Sequence, residues 1–261
     1  MVSLLILKSL IVIILWQLLL LVSAQDGKCP TSFNCGYLGQ IKFPFTTTDQ
    51  PHCGLLAIHG CEELEPLAPK TVKLSSSTSR SYEVLKVEPR TIIITDDEQD
   101  NYLQSKSCQT FSNNFTLPHS TPLASFYIKY NITIFRCNHS LRGSLPQGFH
   151  KYSNCSHQYH IYYAYPNTQT PLESKWPRSL APCSTIQLAA QAKSTDDPFQ
   201  FLSGSIAIEV QLSDDCERCL FDGKPQCLLN SKGKLNCTQG MQFLFLIQVK
   251  NCVGEKEDVS I

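Results

Sequence analysis

The cysteine content of this chain constrains its fold more than any other feature of the sequence. The chain has 261 residues and 13 cysteines, and every cysteine follows Ala24. In an oxidising compartment such a density is typical of a disulfide framework, whereas in the cytosol it would favour a metal site. The state of the cysteines therefore depends on whether the chain is exported.

The N-terminus has the form of a secretory signal peptide. Residues 1–24 are mostly apolar, with one lysine, Lys8, ahead of the apolar core. This core is shorter than the roughly 20 residues that a membrane-spanning helix needs. It ends at Val22-Ser23-Ala24, a small-residue pattern that signal peptidase accepts. We predict that residues 1–24 are a signal peptide cleaved before Gln25; a signal anchor that stays in place is the alternative.

Export favours a disulfide framework with one thiol left over, because the number of cysteines is odd. Cys252 is the predicted free thiol, since it lies in a polar tail beyond the last cysteine-dense stretch. Each bridge typically contributes about 2–4 kcal/mol to stability. The other cysteines are predicted to be paired, in a connectivity that the sequence leaves open: Cys29, Cys35, Cys53, Cys61, Cys108, Cys137, Cys155, Cys183, Cys216, Cys219, Cys227 and Cys237.

Several asparagines lie in N-x-S/T sequons without proline at the middle position, which marks them as acceptors for N-linked glycans in a secreted chain. A glycan-bearing asparagine must face solvent, so each sequon also predicts a surface position. The predicted glycosylation sites are Asn114, Asn131, Asn138, Asn154 and Asn236. Asn154 and Asn236 directly precede a cysteine, where disulfide formation can compete with glycan addition.

Short strands separated by turns dominate the predicted secondary structure. Ser81–Val87 alternates with period two, and Thr91–Thr95 is rich in β-branched residues. Similar runs are predicted as strands at Ile41–Phe45, Ser125–Tyr130, Ile132–Phe135, Tyr159–Tyr165 and Ile206–Val210. No segment between residues 25 and 184 shows sustained helical periodicity, and Ser184–Ala192 is the one place where a short helix is expected. The predicted fold class is mostly β: disulfide-rich, loop-rich extracellular modules of short antiparallel strands.

The chain is predicted to divide into a module at residues 25–105, a cysteine-rich module at 106–240, and a short apolar run with a polar tail at 241–261. The apolar run is too short to span a bilayer, so the mature chain is expected to be soluble. The net charge of zero is unevenly distributed: residues 106–183 carry seven basic residues and one acidic residue, Glu173. Such a segment fits either an anion-facing surface or an ordinary solvated face.

The first module contains two Cys-Gly pairs, a strand with the sequence Phe-Pro-Phe between them and a closing cysteine: Cys35-Gly36, Ile41–Phe45, Cys53-Gly54 and Cys61. This pattern resembles the galacturonan-binding module of plant wall-associated receptor kinases. Asn131–Cys137 and the strand leading into Cys216-x2-Cys219 are similar to the C-terminal module of the same ectodomains.

Over about residues 29–237 the cysteine order resembles the extracellular half of the leaf-rust-locus receptor-like kinases. Those receptors continue into a membrane span and a Ser/Thr kinase, for which this sequence has no counterpart. The resemblance implies that the chain binds pectic polysaccharide, chiefly galacturonan, at the plant cell wall. It implies no nucleic-acid partner, and contact with a membrane only in a longer receptor form.

Galacturonan carries one carboxylate per sugar and flat apolar sugar faces, so its site should offer cations and aromatic rings. The candidate ligand-binding cations are Lys70, Lys73, Lys86 and Arg90 in the first module, and Lys129, Arg136, Arg142 and Lys151 in the second. Tyrosines surround the second group, although alternate tyrosines of a strand could instead pack inward. Strict alternation in Ser81–Val87 places Lys86 on the same face as Tyr82 and Val84. The acidic run Asp96–Asp100 is expected to be a solvated turn rather than a calcium site.

No catalytic motif is recognisable, and neither a nucleophile elbow G-x-S-x-G nor a kinase HRD or DFG element occurs. In a secreted chain the cluster Cys216–Cys237 favours disulfides over zinc. We therefore expect no enzyme, no metal site and no cofactor. Two other functions stay open: a peptide- or protein-sensing ectodomain in defence signalling, truncated before its span and kinase, and a secreted carbohydrate-active enzyme, against which the lack of a clear carboxylate pair argues.

The signal-peptide interpretation predicts that protein secreted from a eukaryotic host begins at Gln25. N-terminal sequencing or intact-mass analysis of deglycosylated protein from the medium tests this directly. Secreted protein that retains Met1 would contradict it.

Overall fold

A computed structural model gives the tertiary structure of the chain. It describes residues 29–62, 67–75, 79–112, 115–138, 141, 147–155, 159–164, 177–191, 197–224, 226–230 and 232–238. The predicted signal peptide, Asn114, Arg142 and Cys252 lie outside the described residues.

Most of the regular structure in the described chain is β-strand, which confirms the predicted fold class. The strands are β1 (Phe33–Asn34), β2 (Gln40–Ile41), β3 (Phe45–Thr47), β4 (Leu56–His59), β5 (Thr71–Val72), β6 (Tyr82–Val87), β7 (Thr91–Thr95), β8 (Ala124–Ile128), β9 (Asn131–Cys137), β10 (Phe149–Tyr152), β11 (His160–Ala164), β12 (Ser184–Ala189), β13 (Ser205–Leu212), β14 (Gln226–Leu229) and β15 (Leu235–Thr238). The α-helices are α1 (Asp97–Gln104) and α2 (Asp214–Phe221), and short 3-10 helices lie at Gly36–Leu38, Pro51–Cys53, Cys108–Ser112, Arg178–Leu180 and Pro198–Gln200. Neither α-helix is long and apolar enough to cross a lipid bilayer.

Two sequence-based expectations about helices are wrong. The short helix expected at Ser184–Ala192 is strand β12, which pairs with β9 over its whole length. The acidic run expected as a solvated turn instead starts α1. The buried carboxylate of Asp96 accepts a hydrogen bond from the backbone N–H of Gln99, and acidic residues fill the first turn. Carboxylates at these positions cap the helix and complement its dipole.

The larger sheet has seven strands in the order β3-β4-β5-β6-β7-β13-β8, antiparallel except for the β3–β4 pair. One face carries an apolar core to which most of its strands contribute fully buried side chains: Phe45, Ile58, Val72, Val84, Ile92, Ile94, Ile208 and Val210. Strand β13 pairs with β7 on one side and with β8 on the other. The boundary predicted at residue 105 therefore does not separate two folding units, because this sheet takes strands from both sides of it.

The smaller sheet has the order β10-β11-β9-β12 and is buried on both faces. Ile134 and Tyr163 pack on one face against Phe201, while Phe135 and Tyr162 pack on the other against Leu180. Successive residues of β11 therefore enter different clusters, and this explains why the strand lacks a polar face.

Six disulfides join all the cysteines predicted to be bridged, and this confirms the disulfide framework. The pairs are Cys29–Cys53, Cys35–Cys61, Cys108–Cys155, Cys137–Cys183, Cys216–Cys227 and Cys219–Cys237. The predicted free thiol, Cys252, is outside the described residues. Such a framework is typical of chains that fold in an oxidising, extracellular compartment.

The two C-terminal disulfides, Cys216–Cys227 and Cys219–Cys237, pack near the two N-terminal ones. Cys216 and Cys227 belong to the same apolar core as Cys29, and the side-chain amide of Gln226 donates a hydrogen bond of 3.0 Å to the backbone oxygen of Pro30. The described residues of 214–238 are therefore packed with the first module.

The two Cys-Gly pairs require glycine for different reasons. Gly36 has a positive φ of 58°, which side chains rarely adopt. Gly54 has an ordinary extended backbone, but a Cβ there would lie 2.8 Å from Thr46 Cβ and 2.9 Å from the oxygen of Pro44. Its glycine allows the chain after Cys53 to approach β3 closely.

Substitution of Gly54 by alanine should lower the free energy of unfolding by about 3 kcal/mol, because backbone atoms must move to admit the methyl group. Gly223→Ala is the control, because Gly223 directly follows the C-cap of α2. Its φ is 74° and nothing lies within 4 Å of the added Cβ, so only a backbone penalty of about 1 kcal/mol should appear. Urea denaturation of both variants measures the difference; an equal or larger loss for Gly223→Ala would contradict the close-approach argument.

Candidate ligand-binding cleft at the junction of the sheets

The two sheets meet where the chain passes from one to the other. Strand β8 belongs to the larger sheet and β9 to the smaller one, and only Lys129 and Tyr130 separate them. The chain returns between β12 and β13, where Ala190 forms an isolated bridge with Leu202. The backbone N–H of Ala190 also donates to the oxygen of Tyr130 at 3.0 Å. The two segments that connect the sheets, β8–β9 and β12–β13, therefore lie side by side; they are called the crossings below.

A shallow cavity of about 360 Å³ occupies this junction. Its floor is the face of the larger sheet opposite the apolar core, and its walls come from the two crossings. The lining combines apolar groups, an aromatic ring, hydroxyls and an amide: Ile93, Tyr130, Ala189, Ala190, Gln191, Ser203, Ser205 and Ala207. Tyr130 is 61% exposed, so its ring is available to a ligand.

Two of the predicted cations lie at the ends of one row that crosses the cavity floor. Lys86 pairs with Ile93, Ile93 pairs with Ala207, and the backbone N–H of Lys129 donates to the oxygen of Ala207 at 2.8 Å. Neighbouring strands are about 4.8 Å apart, so the backbones of Lys86 and Lys129 are separated by roughly 14 Å. The tertiary structure thus brings together one cation from each predicted module.

A β-bulge decides which way Lys86 points. Strict alternation predicts that Lys86 shares the buried face of Tyr82 and Val84, and that prediction is wrong. The register shifts between Val84 and Lys86, so Lys86 pairs with Ile93 on the outer face and its side chain is 63% exposed. An extra residue in one strand rotates the residues after it onto the other face.

Charge in the cleft is partly balanced. The Nζ of Lys86 lies 2.8 Å from Oε1 of Glu88, and the Nζ of Lys129 lies 6.0 Å from the centre of the Tyr130 ring. The hydrogen bond and charge of Lys86, with a smaller effect from Lys129, lower the pKa of Glu88. Glu88 is therefore ionised at neutral pH and competes with any anion for Lys86.

A second row beside the cavity pairs Thr91 with Glu209 and Glu209 with Tyr127. Burial of the ring, and secondly a hydrogen bond from its hydroxyl to Glu209, raise the pKa of Tyr127. The phenol therefore stays protonated at neutral pH. The carboxylate of Glu209 is held by this bond next to the cleft, on the side away from Ser205.

The remaining predicted cations are distributed elsewhere. Arg90 forms a two-pronged ion pair with Glu217 on α2, with Nη2 2.6 Å from Oε2. Arg136 donates to the hydroxyl of Ser112 and lies over the ring of Tyr159. Lys73 directly follows β5, and Lys151 lies on β10, an edge strand of the smaller sheet. Both are exposed, and neither lines the cavity.

Lys70 is not a surface cation, and its predicted role needs correction. The side chain is fully buried, and its Nζ donates a hydrogen bond of 2.5 Å to the backbone oxygen of Gly60. Its backbone oxygen accepts from the N–H of Val84 at 2.7 Å. A lysine buried in this way connects the loop after β4 with the sheet and cannot contact a polysaccharide in this conformation.

Most of the described tyrosines around the second group of predicted cations do not present their rings to solvent, as a sugar-binding surface would need. Tyr162 and Tyr163 are fully buried on opposite faces of the smaller sheet, as in the inward-packing alternative. Tyr152 and Tyr159 are half-buried. Tyr130 alone among these described tyrosines presents its ring at the cleft.

The described sequons differ in accessibility. Asn138, Asn154 and Asn236 are exposed, whereas Asn131 is half-buried at the start of β9. The side-chain amide of Asn131 donates a hydrogen bond of 2.8 Å to the backbone oxygen of Ile128.

No family model, curated protein or solved structure matches the chain. The sequence predicted Lys86 and Lys129 as ligand-binding cations, but it did not predict that Glu88 would pair with Lys86 or that small residues would form the floor. Glu88 lies in the turn directly after β6, so its closeness to Lys86 in the sequence was the one available signal for the opposing charge.

Replacing Lys70 by alanine should destabilise the protein by about 2 kcal/mol or more, because the change removes a buried side chain and its hydrogen bond. Lys73→Ala alters an exposed lysine nearby and should cost less than about 0.5 kcal/mol. Thermal and urea unfolding of both variants tests whether Lys70 is buried. Equal stability of the two variants would contradict a buried Lys70.

Proposed function

We propose that the chain binds acidic cell-wall polysaccharide, chiefly pectin or galacturonan, in the cleft at the junction of the sheets. The observation that carries this proposal is the row with Lys86 and Lys129 at its ends, beside the exposed ring of Tyr130. The resemblance of residues 29–237 to wall-associated receptor ectodomains supports the same ligand class. The six disulfides fit an extracellular protein, and residence at the cell wall is part of the proposal.

The ligand's chemistry matches the three kinds of group around the cleft. Each galacturonate unit offers one carboxylate, to which a lysine can form a charge-assisted hydrogen bond. The ring of Tyr130 offers an apolar face against which a sugar ring can pack. Gln191, Ser203 and Ser205 supply the hydroxyls and amide that sugar hydroxyl groups recognise.

The separation of the lysines indicates how the ligand would lie. Their backbones are roughly 14 Å apart across three strand intervals, so two carboxylates of one chain can each contact one lysine. A chain of several sugars would cross the strands, with one carboxylate near each lysine and the intervening sugars over Ile93 and Ala207. Exposed ion pairs are individually weak, typically below about 1 kcal/mol, so binding depends on both contacts acting together.

We propose binding and not catalysis. The carboxylates beside the cleft are both engaged, Glu88 with Lys86 and Glu209 with the hydroxyl of Tyr127. Lys86 lowers the pKa of Glu88, whereas the general acid of a glycosidase needs a raised pKa.

Neutralising the two lysines should weaken binding of de-esterified polygalacturonate, and neutralising the opposing acid should strengthen it. We expect Lys86→Gln with Lys129→Gln to raise Kd about tenfold, and Glu88→Gln to lower it several-fold because Lys86 is released. The control is Lys73→Gln with Lys151→Gln, which removes the same charge away from the cleft and should change Kd little. Isothermal titration calorimetry or a glycan array measures Kd for the three variants and for the unaltered chain.

Salt and esterification provide the second arm of the test. Binding should weaken steeply between about 50 and 500 mM salt, because screening shortens the reach of exposed charges. Methyl-esterified pectin lacks the carboxylate charge and should bind less well. Salt-insensitive binding, or no binding to any acidic glycan, would overturn the proposal and favour the peptide- or protein-sensing alternative.

A further inference from the structure

A second cavity, of about 310 Å³, adjoins the cleft at the turn between β6 and β7. Its lining comes from two segments, residues 40–43 near the N-terminus and residues 87–89 at the turn. Glu88 connects this cavity with the cleft, because it lines the cavity while its Oε1 lies 2.8 Å from the Nζ of Lys86. The second cavity therefore begins where the row across the cleft floor ends.

The early end of β5 explains why there is space at this place. Strand β5 ends at Val72 and pairs with only the first two residues of β6, whereas β6 continues to Val87. The N-terminal segment lies beside the rest of β6 on that side, since the hydroxyl of Tyr37 donates a hydrogen bond of 2.8 Å to the backbone oxygen of Val84. This segment and the end of β6 enclose the cavity between them.

Lys42 is the cation of the second cavity, and it is not among the cations predicted from the sequence. Its neighbours Ile41 and Phe43 are buried in the apolar core, whereas Lys42 itself is exposed. Within the part of the chain that the structure describes, Lys42 forms no ion pair. Its ammonium group is therefore open to an anionic ligand.

The second cavity offers the same kinds of group as the cleft. Ligand sites typically combine apolar walls with a few polar groups. Here Val87 and the exposed ring of Pro89 supply apolar surface, and the exposed amide of Gln40 can bond to sugar hydroxyls. Lys42 can form a charge-assisted hydrogen bond to a carboxylate. The lining thus suits an acidic sugar.

We propose that the second cavity is a further subsite for the acidic polysaccharide, in which Lys42 binds the carboxylate of a sugar beyond those in the cleft. The ligand chain then runs from Lys129 past Lys86 and around the free edge of β6 to Lys42. This inference rests on the proposed function, because it extends the same site. It makes the protein selective for long galacturonate chains, since short ones reach only the two lysines of the cleft.

A series of de-esterified oligogalacturonates of increasing length tests this selectivity by calorimetric titration. Lys42→Gln should leave Kd unchanged for the shortest oligomers that bind, and should raise it about threefold for longer ones, as expected for one exposed ion pair. Lys42→Arg keeps the charge and should bind like the unaltered chain. The control is Lys73→Gln, which alters an exposed lysine that lines neither cavity and should leave Kd unchanged at every length.

A contact measurement on the unaltered chain requires no substitution. Long oligogalacturonates whose carboxylates are partly activated with a carbodiimide form amide bonds with the lysines that they touch, and peptide mass spectrometry locates these bonds. Lys42, Lys86 and Lys129 should react several-fold faster than the exposed reference lysines Lys73 and Lys151.

The outcomes separate the further subsite from the proposed function. Attachment at Lys86 and Lys129 without Lys42, or an effect of Lys42→Gln that does not depend on oligomer length, would overturn the subsite and leave the proposed function standing. Attachment at Lys42 alone would support the second cavity as a sugar site and overturn the cleft. If no acidic oligomer of any length binds, the proposed function fails and the subsite fails with it.

Discussion

The pairing of β13 with both β7 and β8 is the interaction on which the rest of the structure depends. Along Ser205–Leu212, alternate residues enter the apolar core while the others face the cleft or solvent. One strand therefore holds together the N-terminal strands, the β8–β9 crossing and the floor of the cavity. Because side chains alternate strictly along it, a slip of one residue would exchange the core and the floor.

The disulfides link segments on the same side of the junction between the sheets, and non-covalent contacts stabilise the junction itself. None of the six bridges joins a strand of the larger sheet to a strand of the smaller one. Instead, α1 is tied to the second crossing: the N–H of Asp96 donates to the oxygen of Gly204, and the N–H of Gly204 donates to the carboxylate of Asp100. A cavity at such a junction is a common location for a ligand site.

Charge alone does not distinguish this cleft from the rest of the surface. Several predicted cations are committed to the fold: Lys70 is buried, Arg90 is paired with Glu217, and Arg136 is packed over Tyr159. Lys86 is also paired, but with an exposed acid next to it in the sequence, and such pairs are readily exchanged for a ligand carboxylate. The arrangement favours an anion that can replace Glu88 while also packing on Tyr130.

The sequence by itself determined the mostly β fold, the set of cysteines that pair and the β-strands with clear period-two or β-branched patterns, because these depend on local composition and on cysteine chemistry. It also named Lys86 and Lys129 as cations of interest. Only the tertiary structure decided the disulfide connectivity, the strand at Ser184–Ala189 and the shared sheet that crosses residue 105. The bulge that exposes Lys86 and the row that places this lysine across the cavity floor from Lys129 were likewise tertiary outcomes. The physical reason is that each depends on pairing between segments far apart in the chain, which local propensity does not encode.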